Sequence, residues 1–477
     1  MRPHVCALAL CTLLACGGGA PAPVPALPPA IPAPPPTPGQ PPNVVIVVLD
    51  TLRADHLGCY GYGRPTTPRL DAFAAGATRY THALASAPWT LPSHASMLTG
   101  QDPWRHGAHT YEIPAPADDN ARGLSEDAFT LTEYLAGHGY TTGAYLANEA
   151  FLAKRYHLDQ GFGTYHLEHT TAARLNPMIL GWVDANSGGP FFLFVNLTDV
   201  HSPLNTERRP GFLEHVAGAR SPRLAERLRA PVMASEGPWP EKKLARLTDM
   251  YDLALANLDE QVGVLLDAFG ERGLTDRTIF VITADHGAYF GEHRLLGHSK
   301  DVYRQAMEVP LIVRSPGQLE GEVVDTAVTS ADLPALVLAR VLPPLDDVSP
   351  FSASDAARGA LGENYYARPK DLFGAPWGDR FHRVRRSLVR WPWKLIQSSD
   401  GQHELYDLSQ DPAEADNLFS ARPDIAAPML AEVEATTAGA TTVAGPADEA
   451  PLSDADRRAL QALGYMDEDA VDAGVRH

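Results

Sequence analysis

The sequence predicts an α/β fold, in which helices flank a large, mostly parallel central sheet. Three apolar runs, Asn43–Leu49, Phe191–Leu197 and Thr278–Thr283, each lead into polar residues, as expected of parallel strands buried on both faces. Residues 241–270 repeat apolar side chains at three- and four-residue spacing, which predicts a long amphipathic helix. Strands that alternate with helices indicate a sheet covered on both faces.

Short alternating segments near the C-terminus predict a second, smaller sheet. They lie at residues 386–390, 393–396 and 404–407. Turn residues such as Ser399-Asp400-Gly401 separate them, which is typical of antiparallel strands. We therefore place a large domain over residues 43–354 and a smaller subdomain with its tail over residues 355–477. The 477 residues suffice for both.

The charge of the chain limits its partners. A formal net charge of -19 argues against nucleic acid or an anionic membrane surface as the main partner, because both select clustered Lys and Arg. An anionic substrate would therefore need a local site that attracts it.

The N-terminus resembles a bacterial lipoprotein signal peptide over residues 1–16. Arg2 precedes an apolar stretch, and Leu13-Leu14-Ala15-Cys16-Gly17 resembles a lipobox, so Cys16 would carry the lipid. A plain signal peptide is the alternative, and both predict export to the periplasm or cell envelope. Residues 17–42 read as a linker, with twelve prolines in residues 21–42 that favour polyproline II. No later apolar stretch reaches about 18 residues, so membrane attachment is expected through lipid only.

Polar side chains follow the predicted strands at one rim of the sheet. Asp50 ends the first apolar run, and Asp285-His286-Gly287 closely follows the third. Ligands in such sheets bind beyond the carboxyl ends of the strands. Carboxylates with one imidazole suit a divalent cation, although a strand-end turn with a capping carboxylate would have the same sequence.

Six segments resemble the sulfatase family, in the order that the family shows. The first contains Asp50-Thr51-Leu52-Arg53, and the second is Thr67 to Asp71. The nucleophile segment, Thr90-Leu91-Pro92-Ser93-His94, follows these two. Thr90 to Gly100 keeps the ten-residue spacing of the family's Cys-x-Pro-x-Arg signature and its Leu-Thr-Gly ending. The others are Gly291-Glu292-His293, Val309 to Val313, Glu404 to Leu408, and Leu460 to Tyr465. The resemblance implies an alkaline-phosphatase-like fold with a smaller C-terminal sheet domain.

Carried over by position, the resemblance implies a metal site made of Asp50, Thr90, Asp285 and His286. Thr51 stands where the family commonly has a second aspartate, so one carboxylate is missing. Four side chains still suffice for one divalent cation if water or a substrate oxygen completes its coordination. Calcium is expected first, with manganese or zinc as alternatives.

Thr90 occupies the nucleophile position, where the family oxidises a cysteine to formylglycine. Cys59 is the one cysteine beyond the signal, and it has no Cys-x-Pro context. We therefore expect no formylglycine. Pro92 favours a helix beginning near Ser93, whose positive end would stabilise a Thr90 alkoxide. Simple capping of that helix by Thr90 is the alternative.

Further catalytic residues are implied by position. His201 matches the family histidine near the leaving group, which suits a general acid. Lys300 is favoured for the family lysine that binds the ester anion, and His298 is the alternative. His94 replaces the arginine that orients formylglycine, and residues 144–149 replace a basic pair.

Three hypotheses follow for function. The leading one is a metal-dependent hydrolase of sulfate or phosphate esters, with phosphorus favoured because threonine has no second hydroxyl to expel sulfate. Its substrate would be an anionic ester, such as one carried by a glycan or an envelope component. The second is a phosphodiesterase or an envelope phosphoglycerol- or phosphoethanolamine-type transferase, including a two-metal version with Asp199, His201 and His298. The third is a degenerate lipoprotein that only binds such ligands.

Overall fold

The computed structural model describes residues 24–466 except 36, 38, 236, 353–358, 374–376, 441–451 and 464. The predicted signal peptide and Cys16 lie outside these residues. The described strands are β1 (Asn43–Leu49), β2 (Thr78–Tyr80), β3 (Ala83–Leu84), β4 (Thr141–Leu146), β5 (Thr164–Leu167), β6 (Phe191–Leu197), β7 (Thr278–Thr283), β8 (Tyr289–Phe290), β9 (Leu296–Gly297), β10 (Leu311–Arg314), β11 (Glu322–Val324), β12 (Val328–Thr329), β13 (Ala360–Asn364), β14 (Arg385–Arg390), β15 (Trp393–Ser398) and β16 (Glu404–Asp407).

The described α-helices connect and cover these strands. They are α1 (Pro68–Ala74), α2 (Thr90–Thr99), α3 (Pro103–His106), α4 (Leu131–Gly137), α5 (Ala172–Asn186), α6 (Ser221–Met233), α7 (Glu241–Glu271), α8 (Arg304–Met307), α9 (Leu333–Leu338), α10 (Pro369–Phe373), α11 (Pro423–Thr436) and α12 (Asp454–Ala462). The long helix predicted over residues 241–270 is confirmed as α7.

The central sheet has eight strands in the order β11-β2-β10-β7-β1-β6-β4-β5. Strand β1 pairs in parallel with β6 and β7, and β4 pairs in parallel with β6 and β5. Strand β10 runs antiparallel to its neighbours. All residues of β1, β6 and β7 are buried, because helices cover both faces. The predicted α/β sheet and the bounds of these three strands are confirmed.

The smaller sheet is antiparallel, in the order β13-β14-β15-β16. Its last three strands confirm the predicted segments, whereas β13 had not been predicted. Helix α11 packs on this sheet through Ala426, Met429 and Val433, which share an apolar cluster with Leu388 and Leu395.

Part of the proline-rich segment lies against the large domain. The Ala33 amide donates to the Arg272 carbonyl at 3.0 Å, and the Arg277 guanidinium donates to the Pro34 carbonyl at 2.7 Å. Among the described residues, the helices are all too short or too polar to cross a bilayer.

Candidate active site and metal centre

Four adjacent parallel strands bring polar side chains to one rim of the central sheet. Asp50 follows β1, Asp285 follows β7, His201 follows β6 and Asn148 follows β4. Since carboxyl ends of parallel strands meet at the same edge, these residues converge. The prediction that Asp50 and Asp285 share a rim is confirmed, because their carboxylates belong to one cluster.

Asp50, Asp285 and His286 form a buried cluster whose ligand atoms lie within 4.8 Å of one another. Asp50 Oδ1 and Asp285 Oδ2 have no hydrogen-bond partner among the described residues. His286 Nδ1 lies 2.9 Å from the Gly287 carbonyl and donates to it. Its Nε2 therefore presents a lone pair, 3.4 Å from Asp285 Oδ2 and 3.9 Å from Asp50 Oδ1. Two carboxylate oxygens and one imidazole nitrogen thus face a common point.

The electrostatics of this cluster fit a divalent cation. Burial and the charge of Asp50 raise the pKa of Asp285 well above its usual range. Burial lowers the pKa of His286 to about 4, so the imidazole is neutral and cannot balance the two carboxylates. A cation bound by carboxylate oxygens and one imidazole would supply the missing charge.

The carboxylate of Asp199 has other partners. Asp199 Oδ2 accepts from the Ala172 amide and Oδ1 from Asn205 Nδ2, both at 2.9 Å. Within the described part of the chain, the only grouping of three metal-binding side chains is the one around Asp50. The geometry therefore gives no support to a second metal site at Asp199, His201 and His298.

Thr90 is the first residue of α2, and Trp89 holds the N-cap position. The helix thus begins earlier than the predicted Ser93, and the alternative that Thr90 caps it is wrong. Thr90 Oγ1 lies 3.5 Å from His286 Nε2. The hydroxyl consequently lies beside the cluster of Asp50, Asp285 and His286 and at the helix end, which carries about half a positive elementary charge.

Two buried asparagines complete the surroundings of Asp50 and Thr90, and neither was singled out from the sequence. Asn148 Nδ2 donates to Asp50 Oδ2 at 2.9 Å and to Thr90 Oγ1 at 3.2 Å. Its Oδ1 accepts from the Phe151 amide at 3.1 Å, which fixes the orientation of the side-chain amide. Asn196 Nδ2 lies 3.4 Å from Asp50 Oδ2. A polar residue inside the apolar run of β6 was the available signal for Asn196.

Thr51, at the position where the resemblance implies a second aspartate, positions Asp285 through its backbone. Its amide donates to Asp285 Oδ1 at 3.1 Å, and its hydroxyl lies 2.9 Å from the Val200 carbonyl. The φ angle of 63° is unusual for a β-branched residue. This turn directs the amide at Asp285 immediately after β1 ends.

His94 lies next to Thr90 as an uncharged group. Its Nδ1 donates to the Thr90 carbonyl at 2.9 Å, and its Nε2 lies 3.5 Å from Asn196 Nδ2. Burial lowers the pKa of His94 to about 4. The position that holds arginine in the family signature therefore contributes no positive charge here at neutral pH.

His201 and His298 face each other, with their Nε2 atoms 3.2 Å apart. His201 Nδ1 lies 2.7 Å from the Ser202 carbonyl, and the ring centroid of His298 lies 4.3 Å from that of His286. Tyr465, from the C-terminal segment, places its hydroxyl 3.0 Å from His201 Nε2 and 3.2 Å from His298 Nε2. The structure thus joins His201 and His298 in one group beside the cluster of Asp50, Asp285 and His286.

The side chain of Lys300 is buried, and its ammonium group contacts a carboxylate. Its Nζ lies 3.1 Å from Asp371 Oδ2 and donates to the His298 carbonyl at 3.0 Å. Asp371 also accepts from Arg229 at 2.9 Å. The ammonium charge is therefore balanced within this group, whereas the imidazole of His298 faces His201 and His286.

Comparison with known proteins identifies related chains. The Sulfatase family profile matches residues 42–341. Human arylsulfatase A is 27% identical over 445 residues, which cover 80% of this chain and 84% of the human protein. N-acetylgalactosamine-6-O-sulfatase from Bacteroides thetaiotaomicron is 22% identical over 490 residues, covering 81% of this chain and 91% of that protein.

A solved structure shares the fold. The phosphonate monoester hydrolase of Agrobacterium radiobacter superposes with a TM-score of 0.60 at 19% sequence identity, covering 83% of this chain and 95% of its own. These comparisons do not favour the transferase, the phosphodiesterase or the purely binding protein.

Proposed function

The chain belongs to the sulfatase family of ester hydrolases in the alkaline phosphatase superfamily, and from this premise we propose that it is a cation-dependent hydrolase of monoanionic sulfate or phosphonate esters with Thr90 as the nucleophile. The observation that carries the proposal is the position of Thr90 Oγ1, 3.5 Å from His286 Nε2 and 3.2 Å from the donor Asn148 Nδ2. The hydroxyl thus adjoins both a metal cluster and a donor that stabilises negative oxygen.

Asp50, Asp285 and His286 would hold one divalent cation, with Thr90 Oγ1 as a further ligand. Calcium suits the two carboxylates, and manganese or zinc suits the imidazole. When bound, the cation would lower the pKa of the hydroxyl and polarise an ester oxygen. No formylglycine is required, because Thr90 itself supplies the nucleophilic oxygen.

The residues around Thr90 suit a two-step displacement. Thr90 Oγ1 releases its proton to solvent and bonds to sulfur or phosphorus, while the bond from that atom to the leaving-group oxygen breaks. His201 Nε2, in its protonated form, gives its proton to that oxygen. Water then attacks the same sulfur or phosphorus, the ester bond to Thr90 breaks, and the hydroxyl is restored. Asn148 Nδ2, which lies 3.2 Å from Thr90 Oγ1, would donate to that oxygen in both steps.

The charges at the site favour a monoanionic ester. His94 and His286 are neutral at pH 7 because burial lowers the pKa of each to about 4, and Lys300 is paired with Asp371. A divalent cation would just balance Asp50 and Asp285, so little positive charge remains for a dianion. Sulfate monoesters and phosphonate monoesters carry one negative charge, whereas phosphate monoesters at neutral pH carry almost two.

A sulfated glycan is the substrate class that the relatives suggest. The N-acetylgalactosamine-6-O-sulfatase from Bacteroides is named for a sulfated sugar. We extend this to the present chain as part of the proposal, with an envelope or environmental glycan as the natural ester.

A panel of nitrophenyl esters tests this proposal. The sulfate, phosphate monoester, phosphate diester and phenylphosphonate are compared with wild-type protein and with Thr90→Ala, after chelation and after addition of calcium, manganese or zinc. We expect turnover of the sulfate or phosphonate, loss with Thr90→Ala, and loss after chelation. Failure of every ester with every cation would refute the hydrolase, and unchanged turnover by Thr90→Ala would refute the nucleophile.

We also propose that the protein is exported and anchored through lipid on Cys16, as its N-terminal sequence suggests. Incorporation of labelled palmitate into wild-type protein and into Cys16→Ser tests this anchor. Label in the wild type alone is expected. Equal label in both proteins, or none in either, would contradict it.

A further inference from the structure

The phenol hydroxyl of Tyr465 reaches the candidate active site from the far end of the chain. It lies 3.0 Å from His201 Nε2 and 3.2 Å from His298 Nε2, and those two nitrogens are themselves 3.2 Å apart. The three atoms form a nearly equilateral triangle beside Thr90. One of its corners, His201, belongs to a residue that the proposed mechanism already uses.

Proton positions require a donor among these three atoms. His201 Nδ1 donates to the Ser202 carbonyl, so the neutral imidazole has a bare Nε2 that can only accept. The phenol can donate to it from 3.0 Å, closer than His298 Nε2 at 3.2 Å, while the phenol oxygen can accept from His298 Nε2. Tyr465 therefore links the two imidazoles and fixes where their ε nitrogens lie.

The packing of the C-terminal segment holds this hydroxyl in one position. Leu460 and Leu463 are buried, and the Tyr465 amide donates to the Leu460 carbonyl at 2.8 Å. The Tyr465 ring meets Phe151 edge-on at a centroid distance of 4.6 Å. Phe151 in turn donates its amide to Asn148. The ring is thus packed against the same loop that positions the donor to Thr90.

The site has few charged groups left to bind an ester anion. Lys300 is paired with Asp371, and His94 is neutral. A neutral hydroxyl donor consequently contributes a larger share of ester-anion binding here than it would beside a basic pair. Hydrogen bonds to charged groups are stronger than those between neutral groups.

We propose that Tyr465 is a further catalytic residue that holds His201 and His298 in position. Its O–H donates to neutral His201 Nε2 in the free protein and, once His201 carries the proton that it gives to the leaving group, donates instead to a non-bridging oxygen of the bound ester. This proposal rests on the proposed ester hydrolysis. It assigns a role in the active site to the C-terminal segment, far in sequence from every other member of the site.

Tyr465→Phe tests this role, because it removes the hydroxyl and keeps the ring on Phe151. Tyr406→Phe is the matched control, since that buried hydroxyl donates to Glu404 at 2.8 Å within the small C-terminal sheet. For both variants, kcat and KM on the nitrophenyl esters, the Tm, and calorimetric Kd values for inorganic sulfate and phosphate are compared with wild type.

We expect Tyr465→Phe to lower kcat/KM about 10- to 100-fold, the cost of one hydrogen bond to a charged group, and to weaken binding of at least one anion with an unchanged Tm. Tyr406→Phe should retain kcat/KM and both Kd values. A Tyr465→Phe protein with kcat/KM and Kd within twofold of wild type overturns the proposal.

A loss of activity in Tyr465→Phe that is matched by a lower Tm and an unchanged Kd also overturns it, because that is the result of a purely structural role. Anion binding separates the two proposals. If wild type binds sulfate or phosphate but hydrolyses no ester, the hydrolase proposal fails while the Kd comparison still decides the role of Tyr465. Wild-type protein that neither binds nor turns over overturns both.

Discussion

Asn148 is predicted to contribute to catalysis through one of its two hydrogen bonds and to the metal centre through the other. Replacement by alanine removes the donor to Thr90 Oγ1 at 3.2 Å and the donor to Asp50 Oδ2 at 2.9 Å. It also removes the acceptor of the Phe151 amide. The substitution therefore has three consequences that separate measurements can distinguish.

The expected effect of losing each hydrogen bond depends on the stage of the reaction at which that bond is present. The bond to Asp50 exists before and during the reaction, so its loss should weaken cation binding without changing the chemical step. The bond to Thr90 strengthens as Oγ1 gains negative charge, so its loss should lower kcat by about 10- to 100-fold. The unpaired Phe151 amide should cost about 1–3 kcal/mol of stability.

The assay compares kcat at saturating cation, the cation concentration for half-maximal activity, and the Tm. Asn176→Ala is the control, because Asn176, on α5, is equally buried and donates to the Gln261 carbonyl of α7 at 2.9 Å. We expect both variants to lose stability and only Asn148→Ala to lose kcat. A kcat for Asn148→Ala within threefold of wild type at saturating cation would refute the reasoning.

Three further predictions follow. Chelation should lower the Tm of wild type, with a loss of about 2.7 kcal/mol in the free energy of unfolding if the cation was present at a hundred times its Kd, and should leave the Tm of Asp285→Asn unchanged; equal shifts in calorimetry would count against the cluster as the metal site. Burial lowers the pKa of His106 to about 3, below the unfolded value of about 6.5, so stability falls as pH falls below 6.5. His106→Gln should remove about 2 kcal/mol of that fall between pH 7 and pH 5, and denaturant titrations with identical pH slopes for both proteins would contradict this. His298→Ala should lower kcat/KM more than Lys300→Ala does. Lys300→Ala should chiefly lower the Tm, because it leaves Asp371 with one cationic partner fewer. The reverse order of kcat/KM in steady-state kinetics would restore Lys300 as the anion ligand.

The sequence was informative where apolar runs are long and uninterrupted. The strands β1, β6 and β7 could be predicted to the residue because their side chains are buried on both faces, and the residues after β1 and β7 could be placed at one rim. Strand β4 contains Thr141, Thr142 and Gly143 among its six residues, so it carries a weak apolar signal. Asn148 was missed for that reason.

Contacts distant in sequence could not be predicted at all. Tyr465 meets His201 across 264 positions, and no local pattern indicates that approach. The contact between Lys300 and Asp371 could not be predicted for the same reason, because Asp371 lies on α10, far from Lys300 in sequence. Thr90 could be aligned with the family signature, whereas its distance from His286 required the structure.

The central claim is that Thr90 Oγ1 is the nucleophile, and covalent trapping tests it most directly. Wild type and His201→Ala are mixed with a sulfate or phosphonate nitrophenyl ester at saturating cation, quenched in acid and digested, and the Thr90 peptide is analysed by mass spectrometry. We predict that this peptide gains the mass of the transferred sulfo or phosphonyl group, and that it does so more slowly in His201→Ala, which lacks the acid for the leaving group. Turnover of the ester with an unmodified Thr90 peptide at every quench time, and with full activity in Thr90→Ala, would contradict the account.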